Sequence, residues 1–286
     1  MKKLRVAIIG TGNIGTDLLL KASRSPFVGS LVFVGRREDS PGIKIARELG
    51  IAVSTLGLDY FIQNENSCDV VFDCTDAFSA IENFKVFKKQ GIKTIDLTPA
   101  KLGPLCVPYL NDNLIISEAN VNMITCGGQA SIPMLSLVSK YCNDLKYVEV
   151  VSQVASKSAG MATRINIDEY INTTEIAIKQ FTGVKNCKVI LNLNPADPCV
   201  DMQTTMFLKC KSINSDGLLL KIDEEIKRIN SYVPFYGLTS LPSINENDIL
   251  IISIKVKGCG DYLPAYAGNL DIINCAALKV CEKLAI

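Results

Sequence analysis

Histidine and tryptophan are both missing from this 286-residue chain, and its net charge is close to zero. Without histidine, a Ser-His-Asp triad, a Cys-His pair and a histidine-ligated metal are excluded. Thirty Lys and Arg residues against 29 Asp and Glu residues leave a net charge of +1, so no nucleic-acid partner is expected. Any chemistry here must use cysteine, carboxylates, lysine, tyrosine, amides, the backbone or a bound cofactor.

The 11 cysteines form no CxxC motif, and this spacing indicates neither a zinc site nor a thioredoxin-like pair. No metal is therefore expected, and most cysteines are interpreted as small buried residues of a reducing compartment. No apolar run reaches the ~18–20 residues of a membrane span, and the first one is too short for a signal peptide. These absences predict a cytoplasmic protein that makes no membrane contact.

The first part of the chain alternates apolar strand patterns with helix patterns. Such alternation predicts a doubly wound parallel sheet, an α/β fold of the Rossmann type. The expected strands are 4–9, 31–34, 70–73, 93–97 and 113–117. One helix is expected to follow the first strand and end near Arg24, and two more are expected at 41–49 and 77–90.

Beyond about residue 145 the strand patterns become longer and the helices fewer. We expect a mostly antiparallel sheet covered on one face. Its predicted strands are 147–154, 188–193, 204–211 and 249–257, with helices at 167–181 and 218–230. The domain prediction is a dinucleotide-binding domain over 1–125 and a second domain over 126–267, with a final helix in 268–286 that packs back on the first.

A glycine-rich loop follows the first predicted strand and opens the first helix. Gly10 permits the tight turn, Gly12 lets the backbone approach a pyrophosphate, and Gly15 lets the helix pack on the strand. The helix N-terminus then offers N–H groups and a positive dipole end to phosphates. The alternative is a tight turn without a ligand, but the strand–loop–helix context favours dinucleotide binding.

The second predicted strand ends in arginine where an NAD-binding fold usually carries an acidic residue for the ribose hydroxyls. Arg36 and Arg37 stand at this tip, and Glu38 follows them. Arginine suits the 2′-phosphate of NADP, whereas solvated arginines are compatible with NAD. The residues leave the choice between the two cofactors open.

Cys126 differs from the other cysteines because two glycines follow it and Pro133 marks the first turn of a predicted helix. A thiol at a helix N-terminus has a lowered pKa, which would supply a nucleophile without histidine. A buried structural cysteine is the alternative, and the local residues do not separate the two.

Five blocks spread along the chain resemble the acylating acetaldehyde dehydrogenases, which are paired with 4-hydroxy-2-oxovalerate aldolase in the degradation of aromatic compounds. The resemblance covers nearly the whole chain in order, and its last block is long and specific. The blocks are Gly10–Asp17, Asn120–Pro133, Ser156–Gly160, Thr163–Glu169 and Tyr262–Ile272.

The resemblance implies a Rossmann domain followed by an α+β domain like that of glyceraldehyde-3-phosphate dehydrogenase. It implies that a short aldehyde, with acetaldehyde as the first candidate, is oxidised by NAD in the presence of coenzyme A. The products would be acyl-CoA and NADH, and the intermediate a thioester on Cys126. The backbone N–H of Cys126 and the amide of Asn269 are candidate stabilisers of the oxyanion. The predicted cofactor-binding residues are Gly10, Thr11, Gly12, Asn13, Ile14, Gly15, Arg37, Ser158, Ala159, Gly160, Arg164, Asn166 and Asn269.

The chain departs from the family pattern at several positions, which indicates a divergent member. An Arg-Asp pair of the family, whose Asp is an acid/base candidate, falls on Gln203-Thr204, and a histidine falls on Asp261. Asp201 is nearby but would need a register shift to substitute. The identities of the aldehyde and of the acyl acceptor therefore stay open. Two alternative functions also stay open, an acyl-CoA reductase and a non-catalytic relative that binds a nucleotide. The resemblance further implies a homo-oligomer that pairs through the sheet of the second domain, and an aldolase partner.

Overall fold

A computed structural model describes residues 2–214 and 216–286, and the chain divides into two compact units. Because their segments alternate along the sequence, the chain returns to the first unit twice. The first unit holds residues up to Ile124, Gly160–Asn166 and Ile273–Ile286, and the second holds Thr125–Ala159 and Ile167–Ile272.

A six-stranded parallel sheet forms the centre of the first unit. Its strands are β1 (Leu4–Ile9), β2 (Val28–Val34), β3 (Ala52–Ser54), β4 (Val70–Asp73), β5 (Lys93–Asp96) and β6 (Asn120–Asn122). They lie in the order β3-β2-β1-β4-β5-β6, so the strand order reverses between β1 and β4. The expected doubly wound sheet is confirmed, and this reversal is where such sheets bind ligands.

Helices connect these strands, and their ends carry the signals that the sequence suggested. They are α1 (Asn13–Ser23), α2 (Pro41–Glu48), α3 (Asp59–Gln63), α4 (Ala77–Lys89) and α5 (Leu114–Ser117). Pro41 is the first residue of α2, and Gly50 beyond its end has a φ of +70°. Proline at the start and a left-handed glycine after the end are the residues that these two positions favour.

One strand prediction is wrong, because the apolar run at 113–117 forms the short helix α5. The sheet is completed instead by β6, which carries two asparagines and pairs with β5. Asn122 Nδ2 donates to Asp96 Oδ2 at 3.0 Å, so tertiary hydrogen bonds rather than apolar side chains hold this strand. A short apolar run cannot be assigned to strand or helix by periodicity alone.

The second unit contains a mixed sheet of six strands. They are β7 (Cys142–Ala155), β8 (Asn186–Asn194), β9 (Met202–Ile213), β10 (Tyr236–Leu238), β11 (Ser243–Ile244) and β12 (Ile249–Val256). Five of them lie side by side in the path β10-β12-β9-β7-β8, and β11 pairs with β12. Only the β7–β8 pair of this path is parallel among the described residues. The mostly antiparallel expectation is thereby confirmed.

In the described residues, five α-helices follow β6. They are α6 (Cys126–Val138), α7 (Met161–Ile165), α8 (Ile167–Thr182), α9 (Leu218–Asn230) and α10 (Gly268–Glu282). The expectation that Pro133 begins a helix is wrong, since α6 begins at Cys126 and contains Pro133. In the described part of the chain, no helix combines the length and the apolar character that crossing a membrane requires.

Candidate active site

The glycine loop between β1 and α1 adopts the geometry that its sequence predicts. Gly10 has a φ of +105°, and a Cβ there would lie 2.5 Å from the carbonyl oxygen of Cys74 on the neighbouring strand connection. A Cβ on Gly15 would lie 1.9 Å from the carbonyl oxygen of Gly10, so the helix packs directly on the loop. A Cβ on Gly12, by contrast, would meet no atom within 4 Å. Gly12 therefore borders open space at the N-terminus of α1.

This open space belongs to a cleft of about 780 Å³ within the first unit. The loop residues Gly10, Thr11 and Gly12 form one part of its wall, and Arg36 and Arg37 form the part after β2. No side chain caps α1, and an uncapped helix N-terminus is suited to a phosphate. The cleft is within the size range of small-molecule and cofactor sites.

The predicted cofactor residues are divided between the two units. Gly10, Thr11, Gly12 and Arg37 line the cleft. Three others, Asn13, Ile14 and Gly15, form the first turn of α1, whereas Gly160, Arg164 and Asn166 belong to the first unit through the segment around α7. Ser158, Ala159 and Asn269 are buried residues of the second unit.

Some cleft residues were not named as cofactor residues by the sequence analysis. Asp76, Met161 and Ile165 line the cleft together with Arg36, which the sequence had already placed at the tip of the second strand. Asp76 caps α4 by accepting hydrogen bonds from the backbone N–H groups of Phe78 and Ser79, each at 3.0 Å. An Asp followed by a helix pattern is a capping signal that could have located this residue. Met161 and Ile165 lie between the predicted cofactor residues Gly160 and Asn166, so the resemblance had indicated their segment but not these two side chains.

Cys126 is the first residue of α6 in the second unit, and the residue is half-buried. Thr125 precedes it as the N-cap, and its hydroxyl accepts a hydrogen bond from the Gly128 N–H at 2.9 Å. Tyr170 lies beside the thiol, with its Oη 3.6 Å from Cys126 Sγ, and this oxygen accepts a hydrogen bond from the Gly127 N–H at 2.9 Å. The thiol thus stands at a helix N-terminus beside a phenolic hydroxyl.

The expectation that this helix end lowers the thiol pKa is wrong in direction. Burial raises the pKa of the Cys126 thiol above its ordinary value, and the hydrogen bonds from Tyr170 and from the N–H groups of Gly127 and Cys126 offset this only in part. Removal of water disfavours the thiolate more than the nearby donors favour it. The sequence showed the helix end but gave no measure of this desolvation.

A pair of neutral hydroxyls also lies close to Gly127. Ser152 Oγ and Thr204 Oγ1 are 3.1 Å apart, and both residues are buried. They are partners on the adjacent strands β7 and β9. A Cβ on Gly127 would lie 2.6 Å from Ser152 Oγ and 2.2 Å from Tyr170 Oη, so only glycine allows this approach.

The positions where the family carries Arg-Asp are occupied by uncharged groups that bond to neighbouring strands. Gln203 Nε2 donates to Ser253 Oγ at 3.2 Å, and Thr204 contacts Ser152. Asp201 precedes β9 and lies 3.6 Å from Lys255 Nζ, so no register shift brings its carboxylate to the place of Thr204. Among the described residues, the strand position at which the resemblance expects an Asp is held by Thr204 and its hydrogen bond to Ser152.

Asn269 lies in the first turn of α10 and is buried, with only 8% of its surface exposed. Among the described residues its Oδ1 accepts no hydrogen bond. A buried amide oxygen without a donor is costly, which favours a ligand that supplies one.

The second unit also brings together Cys259, Asp261 and Asp271, whose potential ligand atoms lie within 4.8 Å of one another. Cys259 and Asp261 are two positions apart and Asp271 follows ten positions later, a spacing that matches none of the metal-binding motifs sought in the sequence. Gly258 beside it is tightly packed, since a Cβ there would lie 2.7 Å from Asp271 Oδ2.

Comparison with known proteins identifies the family. An acetaldehyde dehydrogenase of Spirochaeta aurantia is 50% identical over 284 residues, covering 99% of this chain and 95% of that protein. The chain belongs to the acetaldehyde dehydrogenase family. A second member of this family, from Pectobacterium atrosepticum, is 47% identical over 286 residues, covering 99% and 96% of the two chains.

Two family models match this member of the acetaldehyde dehydrogenase family, one in the region of each sheet. Residues 5–117 match the NAD-binding domain of semialdehyde dehydrogenases, and residues 126–264 match the dimerisation domain of prokaryotic acetaldehyde dehydrogenases. The family resemblance found in the sequence is thereby confirmed.

Solved structures support the same two-domain fold. A probable aspartate-semialdehyde dehydrogenase from Pseudomonas aeruginosa has a TM-score of 0.65 at 13% identity, covering 99% of this chain and 97% of that one. An aspartate-semialdehyde dehydrogenase from Candida albicans, solved with NADP, has a TM-score of 0.61 at 14% identity, and each chain is covered completely.

Proposed function

We propose that this chain is a CoA-acylating aldehyde dehydrogenase that oxidises a short aldehyde through a thioester on Cys126. Acetaldehyde is the first candidate for the substrate. The observation that carries the proposal is the position of the half-buried residue Cys126 at the start of α6, with the Tyr170 hydroxyl 3.6 Å from its sulfur. Family membership supports the same aldehyde. A purely structural cysteine would need neither the glycines that follow it nor a neighbouring hydroxyl.

The proposed reaction begins when Cys126 Sγ loses its proton to solvent and shares an electron pair with the aldehyde carbon. The π electrons of the carbonyl move to its oxygen, which becomes an oxyanion on a thiohemiacetal. The backbone N–H of Cys126 and the amide of Asn269 are the proposed donors to this oxyanion. A bound nicotinamide would serve as the hydride acceptor for the thiohemiacetal carbon. Loss of the hydride would leave a thioester on Cys126.

Coenzyme A completes the proposed cycle as the acyl acceptor. Its thiolate adds to the thioester carbon, and the Cys126 sulfur leaves as a thiolate with the electrons of the broken C–S bond. This step regenerates the nucleophile and releases acyl-CoA. Hydrolysis by water would instead release a carboxylic acid, and this is the alternative acceptor that the assay below separates.

The first unit would hold the cofactor in the cleft beside the glycine loop. The open space at Gly12 and the uncapped start of α1 fit a pyrophosphate. At the ribose end the cleft is lined by Arg36 and Arg37, while Glu38 forms an ion pair with Arg47 outside it. Two cationic side chains at this point predict that NADP is accepted as well as NAD. Asn269, with its unpartnered amide oxygen, is proposed to accept a hydrogen bond from the nicotinamide carboxamide.

The match to a dimerisation domain supports self-association, which we place on the sheet of the second unit. One face of that sheet carries half-buried side chains in a row across three strands, with Val151 beside Thr205 and Phe207 beside Ile251. Such a face is typical of a sheet that packs on a second copy. The aldolase partner that the family resemblance implies is proposed as the source of the aldehyde.

The test measures reduced-cofactor absorbance from acetaldehyde with NAD or NADP, with and without coenzyme A. We expect sustained turnover only with coenzyme A, and Cys126→Ala should lower the rate by at least about a thousandfold, as loss of a nucleophile does. The matched control is Cys199→Ala, which removes another partly exposed thiol and should leave the rate unchanged.

Without coenzyme A, mass spectrometry should find one acyl group on Cys126. Full activity in Cys126→Ala would refute the covalent mechanism. Sustained turnover without coenzyme A would show that water is the acceptor.

A further inference from the structure

We propose that Tyr170 is a further catalytic residue, whose hydroxyl donates a hydrogen bond to the Cys126 thiolate and so stabilises the nucleophile in a protein without histidine. The inference rests on the proposed function, in which Cys126 is that nucleophile. The sequence analysis did not single out Tyr170, because its motif block stops one residue earlier, at Glu169.

The geometry around the phenol is tightly constrained. Tyr170 lies in α8 with 6% of its surface exposed, and its Oη is 3.6 Å from Cys126 Sγ. The Gly127 N–H donates to the same oxygen at 2.9 Å. The absence of a Cβ at Gly127 makes this approach possible, because a Cβ would lie 2.2 Å from Oη.

The neighbouring hydroxyl protons are committed elsewhere. Thr174 Oγ1 donates to the backbone oxygen of Tyr170 at 2.8 Å, so the 2.8 Å contact between the Thr125 and Thr174 hydroxyls uses the proton of Thr125. Thr125 Oγ1 in turn accepts from the Gly128 N–H. Tyr170 Oη accepts from the Gly127 N–H, so its own proton is available to the sulfur, which lies 3.6 Å away.

A donor role fits this phenol better than a base role. Burial and the neighbouring Cys126 raise the pKa of the Tyr170 hydroxyl well above its usual value, so the phenol keeps its proton. The hydroxyls of Ser152 and Thr204, which also lie near Gly127, are neutral and hydrogen-bonded to each other. Tyr170 is therefore the side chain placed to compensate the charge that develops on the sulfur.

The experiment compares Tyr170→Phe with wild type by the pH dependence of Cys126 alkylation. Iodoacetamide is the probe, and mass spectrometry of the peptide that contains Cys126 reads the rate. The matched control is Tyr236→Phe, because Tyr236 is also a buried tyrosine that donates to α6, through the Ala130 carbonyl at 2.8 Å. Thermal unfolding of both variants confirms that they fold.

We expect Tyr170→Phe to shift the alkylation curve to higher pH, with at least about tenfold slower alkylation at neutral pH and an unchanged plateau at high pH. Aldehyde oxidation by this variant should fall in parallel at neutral pH and recover as pH rises. Tyr236→Phe should overlay wild type. A purely structural role for Tyr170 would leave the pH profile in place.

An alkylation curve of Tyr170→Phe that superimposes on wild type, or that moves to lower pH, overturns the inference. Failure of the proposed function looks different, because alkylation of Cys126 does not require turnover. If Cys126→Ala keeps full activity while Tyr170→Phe still shifts the alkylation curve, the contact exists but Cys126 is not the nucleophile of the reaction, and the catalytic role of Tyr170 is lost with it.

Discussion

Replacement of Gly127 by alanine is the substitution that challenges the Cys126 site most directly. The added Cβ would lie 2.2 Å from Tyr170 Oη and 2.6 Å from Ser152 Oγ, whereas real Cβ atoms essentially never approach within 3.0 Å. Neither neighbour is a flexible chain end, because Tyr170 is held in α8 and Ser152 in the middle of β7. The phenol must therefore retreat by about 1 Å.

Two costs follow from this retreat. Overpacking a well-packed core costs about 1–3 kcal/mol, and leaving the Gly127 N–H without its acceptor costs a further ~1–3 kcal/mol. Alanine regains ~1 kcal/mol over glycine in a helix. We expect a net destabilisation of about 3 kcal/mol, together with slower alkylation of Cys126 at neutral pH because the phenol moves away from the sulfur.

Urea unfolding measures the stability, and iodoacetamide alkylation measures the thiolate. The matched control is Gly12→Ala, which also places a methyl group at the start of a helix but meets no atom within 4 Å. We expect a lower unfolding midpoint only in Gly127→Ala. A Gly127→Ala protein that unfolds at the wild-type urea concentration and alkylates at the wild-type rate would refute the packing argument.

Two further predictions concern the first unit. Gly12→Ala should weaken NADH binding by at least about tenfold, because its methyl group occupies the space where a pyrophosphate approaches the backbone, and unchanged affinity in a fluorescence titration would contradict this. Asp73 and Asp96 are buried neighbours on β4 and β5, and burial together with the Asp73 charge raises the pKa of Asp96 to about 7. Native Asp96 thus keeps a proton between about pH 4 and 7 that the unfolded chain has lost, so the free energy of unfolding falls as pH rises through this window. Asp73→Asn should reduce that fall in urea titrations, and an unchanged slope would show that the two carboxylates do not interact.

Much of the fold could be predicted because its signals are local. The strand before Gly10 and the helix after it are recognisable within about twenty residues, and the proline and glycine at the ends of α2 act through their own backbone angles. The strand at β6 could not be found in this way. Its two asparagines are held by β5 and by Asp96, whereas the nearby apolar run that looked like a strand forms α5.

The sequence by itself determined the family, the glycine loop and the identity of the candidate nucleophile. Only the tertiary structure decided that Tyr170, 44 positions from Cys126, stands beside the sulfur, and that Ser152 meets Thr204, 52 positions away. It also decided the direction of the thiol pKa, because desolvation depends on everything packed around the sulfur. Periodicity and turn chemistry act over a few neighbouring residues, while burial and contacts between distant side chains exist only once the sheets and helices have packed.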